Sequence, residues 1–233
     1  MGSTRLPGKV LLNLGGKTVL ARVVERVRRS RTASQIIVAT THGLDDDRIL
    51  EECRRLGVAT FRGSEDDVLD RYYQAAGKAH ADVVVRICSD CPLIDAAIID
   101  RTVEEFLESA VDYASNALDR TYPRGLDVEV LTYQALERCW RGARLFYQRS
   151  HVTAYIYEHP QLFRILRVTG EVDHSCHRWT LDTHEDYQFM QAVYERMPDP
   201  DHFWWRDVLD LLDREPDLAN LNRHIVQKTL QAG

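Results

Sequence analysis

The stretch that most constrains this chain runs from Val83 to Asp95 and reads VVVRICSDCPLID. Val83, Val84, Val85 and Ile87 form a β-branched run broken only by Arg86, the pattern of a strand buried on both faces in a parallel sheet. The run ends at Ser89-Asp90, and Pro92, which lacks a backbone N–H, stops the ladder from continuing. Asp90 therefore sits just past the carboxyl end of a central strand, the edge at which open α/β sheets bind their ligands. A carboxylate in that place is a candidate ligand for a divalent metal.

The flanking sequence alternates strand and helix. A helix from about Thr18 to Ser30 carries Val19, Leu20, Val23, Val24 and Val27 on one face. Gln35–Thr40 reads as a strand, Asp45–Leu56 as a helix closed by Gly57, and Val58–Arg62 as a short strand. Ser64, with Asp67 three residues on, reads as the cap of the next helix. After the strand Val83–Ile87 come a helix over Asp95–Glu108 and a strand over Val111–Ser115. The alternation, without repeats or a linker, predicts an α/β fold with a mainly parallel mixed sheet and helices on both faces. The second half is less regular. Leu126–Leu131 alternates, so Asp127 and Glu129 share one face and Leu126, Val128 and Val130 the other. Helices are predicted over Tyr133–Trp140 and Ser150–Glu158, and a strand over Phe163–Val168. A short strand, Arg178–Leu181, delivers Asp182; Thr183 starts a helix through Met197, and Trp205–Leu212 is a closing helix.

With 233 residues, 44% apolar and 28% charged, the chain can bury the core of one large α/β domain. Its net charge of −6 argues against a general nucleic-acid binder. No apolar run reaches the roughly 18 residues of a membrane helix. Five cysteines at irregular spacing do not make a disulfide framework, which points to a reducing cytoplasm. The charge is uneven: residues 1–31 hold eight Arg and Lys against Glu25 alone. Arg22 to Arg31 read as a solvated helix face. Arg5 and Lys9 lie instead in the loop MGSTRLPGK, where Gly2, Pro7 and Gly8 let backbone approach a ligand and the two cations suit a phosphate chain. Five residues separate Gly2 from Gly8 and Val10 follows the lysine, so the loop is not a Walker A motif.

Asp90 and Asp182 each fall between a strand and a helix. Each could merely cap the helix that follows, and taken singly Asp182 reads as such a cap. Jointly, with a basic loop at the other end of one ligand, they read as a carboxylate pair for Mg²⁺, whose remaining sites go to water and phosphate. Cys88 and Cys91 form a C-x-x-C pair, and His174, Cys176 and His177 cluster later, but no second C-x-x-C supports zinc and Cys88 suits an apolar strand position. His151, on a predicted helix, reads as structural before catalytic. Trp179, Trp204 and Trp205 read as core or interface rather than as base-stacking platforms. A homodimer is a further expectation for the chain. The absence of Gly-x-Ser-x-Gly leaves serine-hydrolase chemistry without support.

GSTRLPGK at 2–9, FRGSEDDVLDRYY at 61–73, VVRICSDCPLID at 84–95, YPRGLDVEV at 122–130, SHVTAYIYEHP at 150–160 and RWTLDTHEDY at 178–187 together resemble one family, in order and over nearly the whole chain. This is the spore-coat polysaccharide biosynthesis SpsF family, which belongs with the CMP-sugar synthetases. The resemblance implies a glycosyltransferase-A-like nucleotidyltransferase fold with a nucleotide-binding half at about 1–118 and a sugar-binding half at about 119–233. It also implies CTP as donor, Mg²⁺ as cofactor and a sugar acceptor, often an acidic keto-sugar. By similarity the loop from Gly2 and Ser3 through Arg5 to Lys9 embraces the triphosphate. Asp90 and Asp182 are the metal positions and Arg71 is a nucleotide contact. Asp127, Glu129 and His151 line the sugar side. Two other activities fit the fold: glycosyl transfer from a nucleotide-sugar, and nucleotide binding without turnover.

Two departures from the family stand out. Its HVT run follows an Arg-Glu pair, and here it follows Arg149-Ser150, which weakens any carboxylate role there. Its phosphate loop follows a first strand ending in Gln-Ala-Arg, whereas this sequence starts inside the loop motif. Either the start lies upstream or that strand is absent. The expectation is a sheet without its first strand, with a strand-wide gap beside Ile36–Thr40 or Val83–Ile87.

Overall fold

A computed structural model describes residues 5–227. A 3₁₀ turn over Lys9–Leu11 follows Gly8, which takes the left-handed φ of 67°. A hairpin of β1 (Asn13–Leu14) and β2 (Lys17–Thr18) leads into α1 (Val19–Val27), whose cap Thr18 accepts the Ala21 amide. Next come β3 (Ile37–Thr41), α2 (Asp47–Leu56), β4 (Ala59–Gly63) and α3 (Val68–Lys78), then β5 (Val83–Arg86) and α4 (Ala96–Glu108). The second half contributes β6 (Tyr113–Ser115), β7 (Glu129–Thr132), α5 (Tyr133–Gly142), α6 (Phe146–Ser150), α7 (Ala154–Glu158), β8 (Ile165–Arg167), α8 (His184–Arg196) and α9 (Trp205–Arg214).

β3 and β4 pair in parallel. The larger sheet runs β5-β7-β6-β8, with β6 and β8 parallel and β7 antiparallel to both neighbours. The pleat splits its side chains between two cores. Val83, Val85, Ala114 and Val130 face the cluster built with α1, α4, α8 and α9. Val84, Tyr113 and Leu131 face the cluster built with α3 and α5. Helices thus cover both faces of a mixed sheet, as the alternation in the sequence predicts, but the sheet is not mainly parallel. β5, read as a strand of a parallel sheet, pairs among the described residues only with β7 and antiparallel to it, because β7 enters from the second half of the chain.

Among the described residues no strand joins β3 to β5. Between them lies a cavity of about 710 Å³, walled by residues 35–40 on one side and 82–88 on the other. Val23, Val24, Ile99 and Val103 line it from α1 and α4, and Tyr72, Ala75 and Ala76 from α3. Every residue of β5 is only half-buried, although its sequence is that of a central strand. This is the strand-wide gap expected from the sequence. In β3 and β5, the backbone amides that point away from β4 and β7 face this cavity. They are expected to exchange with solvent deuterium about tenfold or more faster than their strand-paired neighbours. Uniform protection along either strand would mean that the gap is closed in solution.

Four local readings of the sequence change. Arg22 and Arg26 are not on a solvated face but are almost wholly buried. Arg22 donates to the carbonyls of Leu14, Gly15 and Pro200 and to Asp201, and Arg26 to the carbonyl of Ile94. Their charge is tolerated because loop carbonyls surround it. Ser64 does not cap α3. Its hydroxyl accepts the Asp67 amide, and Asp67 caps the helix by accepting Asp70 N–H at 2.9 Å. The helix predicted over Ser150–Glu158 is two short helices, broken where Val152 adopts φ 62°, a costly conformation for a β-branched residue. Arg178–Leu181 is no regular strand; it makes one isolated parallel bridge, Arg124 to Arg178.

Candidate active site

The chain leaves β5 through two tight turns, closed by Cys91 N–H to Cys88 O at 3.3 Å and Ile94 N–H to Cys91 O at 3.0 Å. Residues 177–181 then lie between two partners. Arg124 N–H donates to His177 O at 3.0 Å and Trp179 N–H to Arg124 O at 2.6 Å on one side, while Leu181 N–H donates to Asp90 O at 2.8 Å on the other. Asp182, ninety-two residues after Asp90 in the chain, is thereby brought beside it.

The carboxylates meet across one cation. Lys9 Nζ lies 2.6 Å from Asp90 Oδ2 and 2.8 Å from Asp182 Oδ1. Arg5 Nη2 and Arg178 Nη2 reach the other oxygen of Asp182 at 3.1 and 3.0 Å. Burial alone would raise the pKa of Asp182, but the charges of Lys9, Arg5 and Arg178 outweigh it and hold the carboxyl below its ordinary range. Burial likewise works against the Lys9 ammonium, and the Asp90 and Asp182 carboxylates overcome it and raise its pKa. Neither aspartate caps a helix: Asp95 caps α4 and Thr183 caps α8. The capping alternative for both is removed. Arg5, Lys9, Asp90 and Asp182 form one constellation, and Gly2 and Ser3 lie outside the described residues.

Two carboxylates that already share an ammonium can share a metal ion. Among the described residues no group of three or more His, Cys, Asp or Glu is placed to hold one. A pair suits Mg²⁺, which takes one or two carboxylates and fills its shell with water and phosphate oxygens. The C-x-x-C thiols do not suit a soft metal. Arg86 pulls Cys88 down, but burial and the Asp90 charge carry its pKa up to about 11, and burial pushes Cys91 higher still.

The remaining residues surround this centre. Arg71 lines the cavity, gives Nη1 to the Ser64 carbonyl at 3.0 Å and leaves its buried Nε without a partner. Asp127 is gripped by both terminal nitrogens of Arg120. Glu129 is buried, and both its oxygens are engaged: Oε1 accepts Tyr113 Oη at 2.6 Å and the Thr153 hydroxyl, and Oε2 accepts Arg86. His151 ends α6, two residues before Thr153.

Sequence reasoning missed the residues that aim these groups. Arg178 holds Asp182 because its own guanidinium is fixed by the fully buried Asp186, at 2.8 and 2.9 Å. Asp186 in turn accepts the amides of Asp182 and Thr183, both at 3.0 Å. Arg86 was legible as a lone charge inside an apolar strand, since such a charge requires a partner.

The cytidylyltransferase family model matches residues 1–228. An uncharacterized protein of Methanocaldococcus jannaschii is 41% identical over 98% of this chain and 93% of its own. The spore coat polysaccharide biosynthesis protein SpsF of Bacillus subtilis is 34% identical over 94% of this chain and 93% of its own. A cytidylyltransferase structure from Leptospira borgpetersenii superposes with a TM-score of 0.91 at 34% identity, covering 98% of this chain and 95% of that one.

Proposed function

The chain belongs to the cytidylyltransferase family, and from that premise we propose that it transfers the cytidylyl group of CTP to a hydroxyl of an acidic keto-sugar, releasing pyrophosphate. The observation that carries this reading is the pair Asp90 and Asp182, converging within 2.8 Å of a single cationic nitrogen. The product, a CMP-sugar, would serve cell-surface or spore-coat polysaccharide synthesis in the cytoplasm. No helix among the described residues is long and apolar enough to cross a membrane.

In the reaction the sugar hydroxyl bonds to the α-phosphorus of CTP with loss of its proton. The bond to the bridging oxygen breaks and pyrophosphate leaves. Such steps depend on positioning and on charge placed where it develops. Asp90 and Asp182 would hold Mg²⁺, which when bound neutralises charge on the α-phosphate. Arg5 and Lys9 would turn their positive charge to the departing pyrophosphate, and Arg71 would meet the nucleotide from the cavity wall. Arg178 keeps Asp182 aimed, and its charge adds to those of Lys9 and Arg5 in favouring the carboxylate.

CTP and Mg²⁺ are to be mixed with a panel of acidic keto-sugars and neutral sugars, and pyrophosphate release measured. Release with CTP and an acid sugar is the expected result. No release with any sugar, or transfer of a glycosyl group from a nucleotide-sugar under the same conditions, would overturn the reading.

A further inference from the structure

Five cations surround the aspartate pair: Arg5, Lys9, Arg120, Arg124 and Arg178. Four carboxylates answer them. Lys9 bridges Asp90 and Asp182, Arg5 reaches Asp182, Arg178 lies on Asp186 and Asp182, and Arg120 grips Asp127. Arg124 is the remainder. Among the described residues its guanidinium has no ion-pair or hydrogen-bond partner, although it is half-buried. Burial, then the charge of Arg120, pull its pKa down, and Asp127 and Asp182 offset this only in part, with Arg178 adding repulsion. Asp127 is one carboxylate whose charge reaches it, but both oxygens of Asp127 already accept from Arg120.

The backbone of Arg124 is fixed. It is locked on both sides by the hydrogen bonds to His177 and Trp179, and the next residue, Gly125, is pressed against the Trp179 carbonyl. A half-buried guanidinium with no partner among the described residues, and with none of its nitrogens sealed from solvent, is free to take an anion in a charge-assisted contact. Arg124 is not among the residues lining the large cavity that Asp90 and Arg71 border. We propose that Arg124 is the specificity-determining residue for the acceptor, binding the carboxylate of the acidic sugar through a charge-assisted, two-pronged contact. This rests on the acid-sugar reading of the site and names the residue that enforces it.

The test compares wild type with Arg124→Gln and Arg124→Lys. Calorimetry measures binding of 3-deoxy-manno-octulosonate, of N-acetylneuraminate and, separately, of CTP; melting is recorded for each protein. Arg124→Gln should weaken acid-sugar binding about tenfold or more, leave CTP binding within about twofold, and melt no lower than wild type because it removes an uncompensated charge. Arg124→Lys should retain part of the affinity. The proposal is overturned if wild type binds neither acid sugar, if Arg124→Gln binds them as wild type does, or if CTP binding falls as far as sugar binding, which would make Arg124 a phosphate contact. Pyrophosphate release with neutral sugars alone would leave cytidylyl transfer standing while removing this role.

Discussion

Asp90→Asn should lower turnover by about a hundredfold to a thousandfold, the scale for removing one charge-positioning group from a preorganised site, while leaving the melting temperature nearly unchanged. The structure separates the two effects. Asp90 caps no helix, and its side chain is 24% exposed and, among the described residues, makes one ion pair, with Lys9. An asparagine fits the same space, and Lys9 keeps Asp182 at 2.8 Å. What is lost is one of the two negative charges that can fix a cation at the α-phosphate. Calorimetric titration of Mn²⁺ in place of Mg²⁺ should show weaker binding in the variant, because the pair has become a single carboxylate. Near-normal turnover in Asp90→Asn would remove Asp90 from the chemistry. Normal metal affinity with lost turnover would mean that Asp182 alone holds the ion.

The legible part of this molecule is the part governed by local rules. The β-branched run before Asp90, the αL glycine after α2 and the Thr183 start of α8 each follow from short-range pattern, and each is found where the sequence places it. Asp90 was legible because it follows a strand end, the edge where open sheets bind ligands, whereas Asp182 follows only an isolated bridge at Arg178 and reaches Asp90 through the Leu181 amide. What escaped was pairing between distant residues. The entry of β7 antiparallel between β5 and β6 depends on register across 43 residues, as the Arg86–Glu129 pair illustrates. Arg22 and Arg26 read as surface because helical charge patterns do not reveal that loop carbonyls arrive from residues 94 and 200. The resemblance set Glu129 on the sugar side, and the sequence does not disclose that Tyr113, Thr153 and Arg86 already engage both of its oxygens.

Gly125→Ala should be the most damaging single-methyl change near the site. Gly125 adopts φ 106°, a conformation closed to residues with a Cβ, and a Cβ built there falls 2.1 Å from the Trp179 carbonyl oxygen and 2.4 Å from its carbon. Those are backbone atoms, so no side-chain rotation relieves the clash. Trp179 cannot retreat without cost: its side chain is fully buried, and its amide is bonded to the Arg124 carbonyl at 2.6 Å. The chain must either break that bond or move residues 177–181 away from residue 124. Strain and lost packing together should cost about 3 kcal/mol or more, lowering the melting temperature by about 10 °C for a domain of this size. Activity should fall further than stability accounts for, because the displaced segment is the one that presents Asp182 to Asp90 through the Leu181–Asp90 backbone bond. Measuring turnover well below the variant's own melting range separates the two losses. A Gly125→Ala protein that melts like wild type would show that residues 125 and 179 do not approach as described, and with them would go the account of how the second aspartate reaches the first.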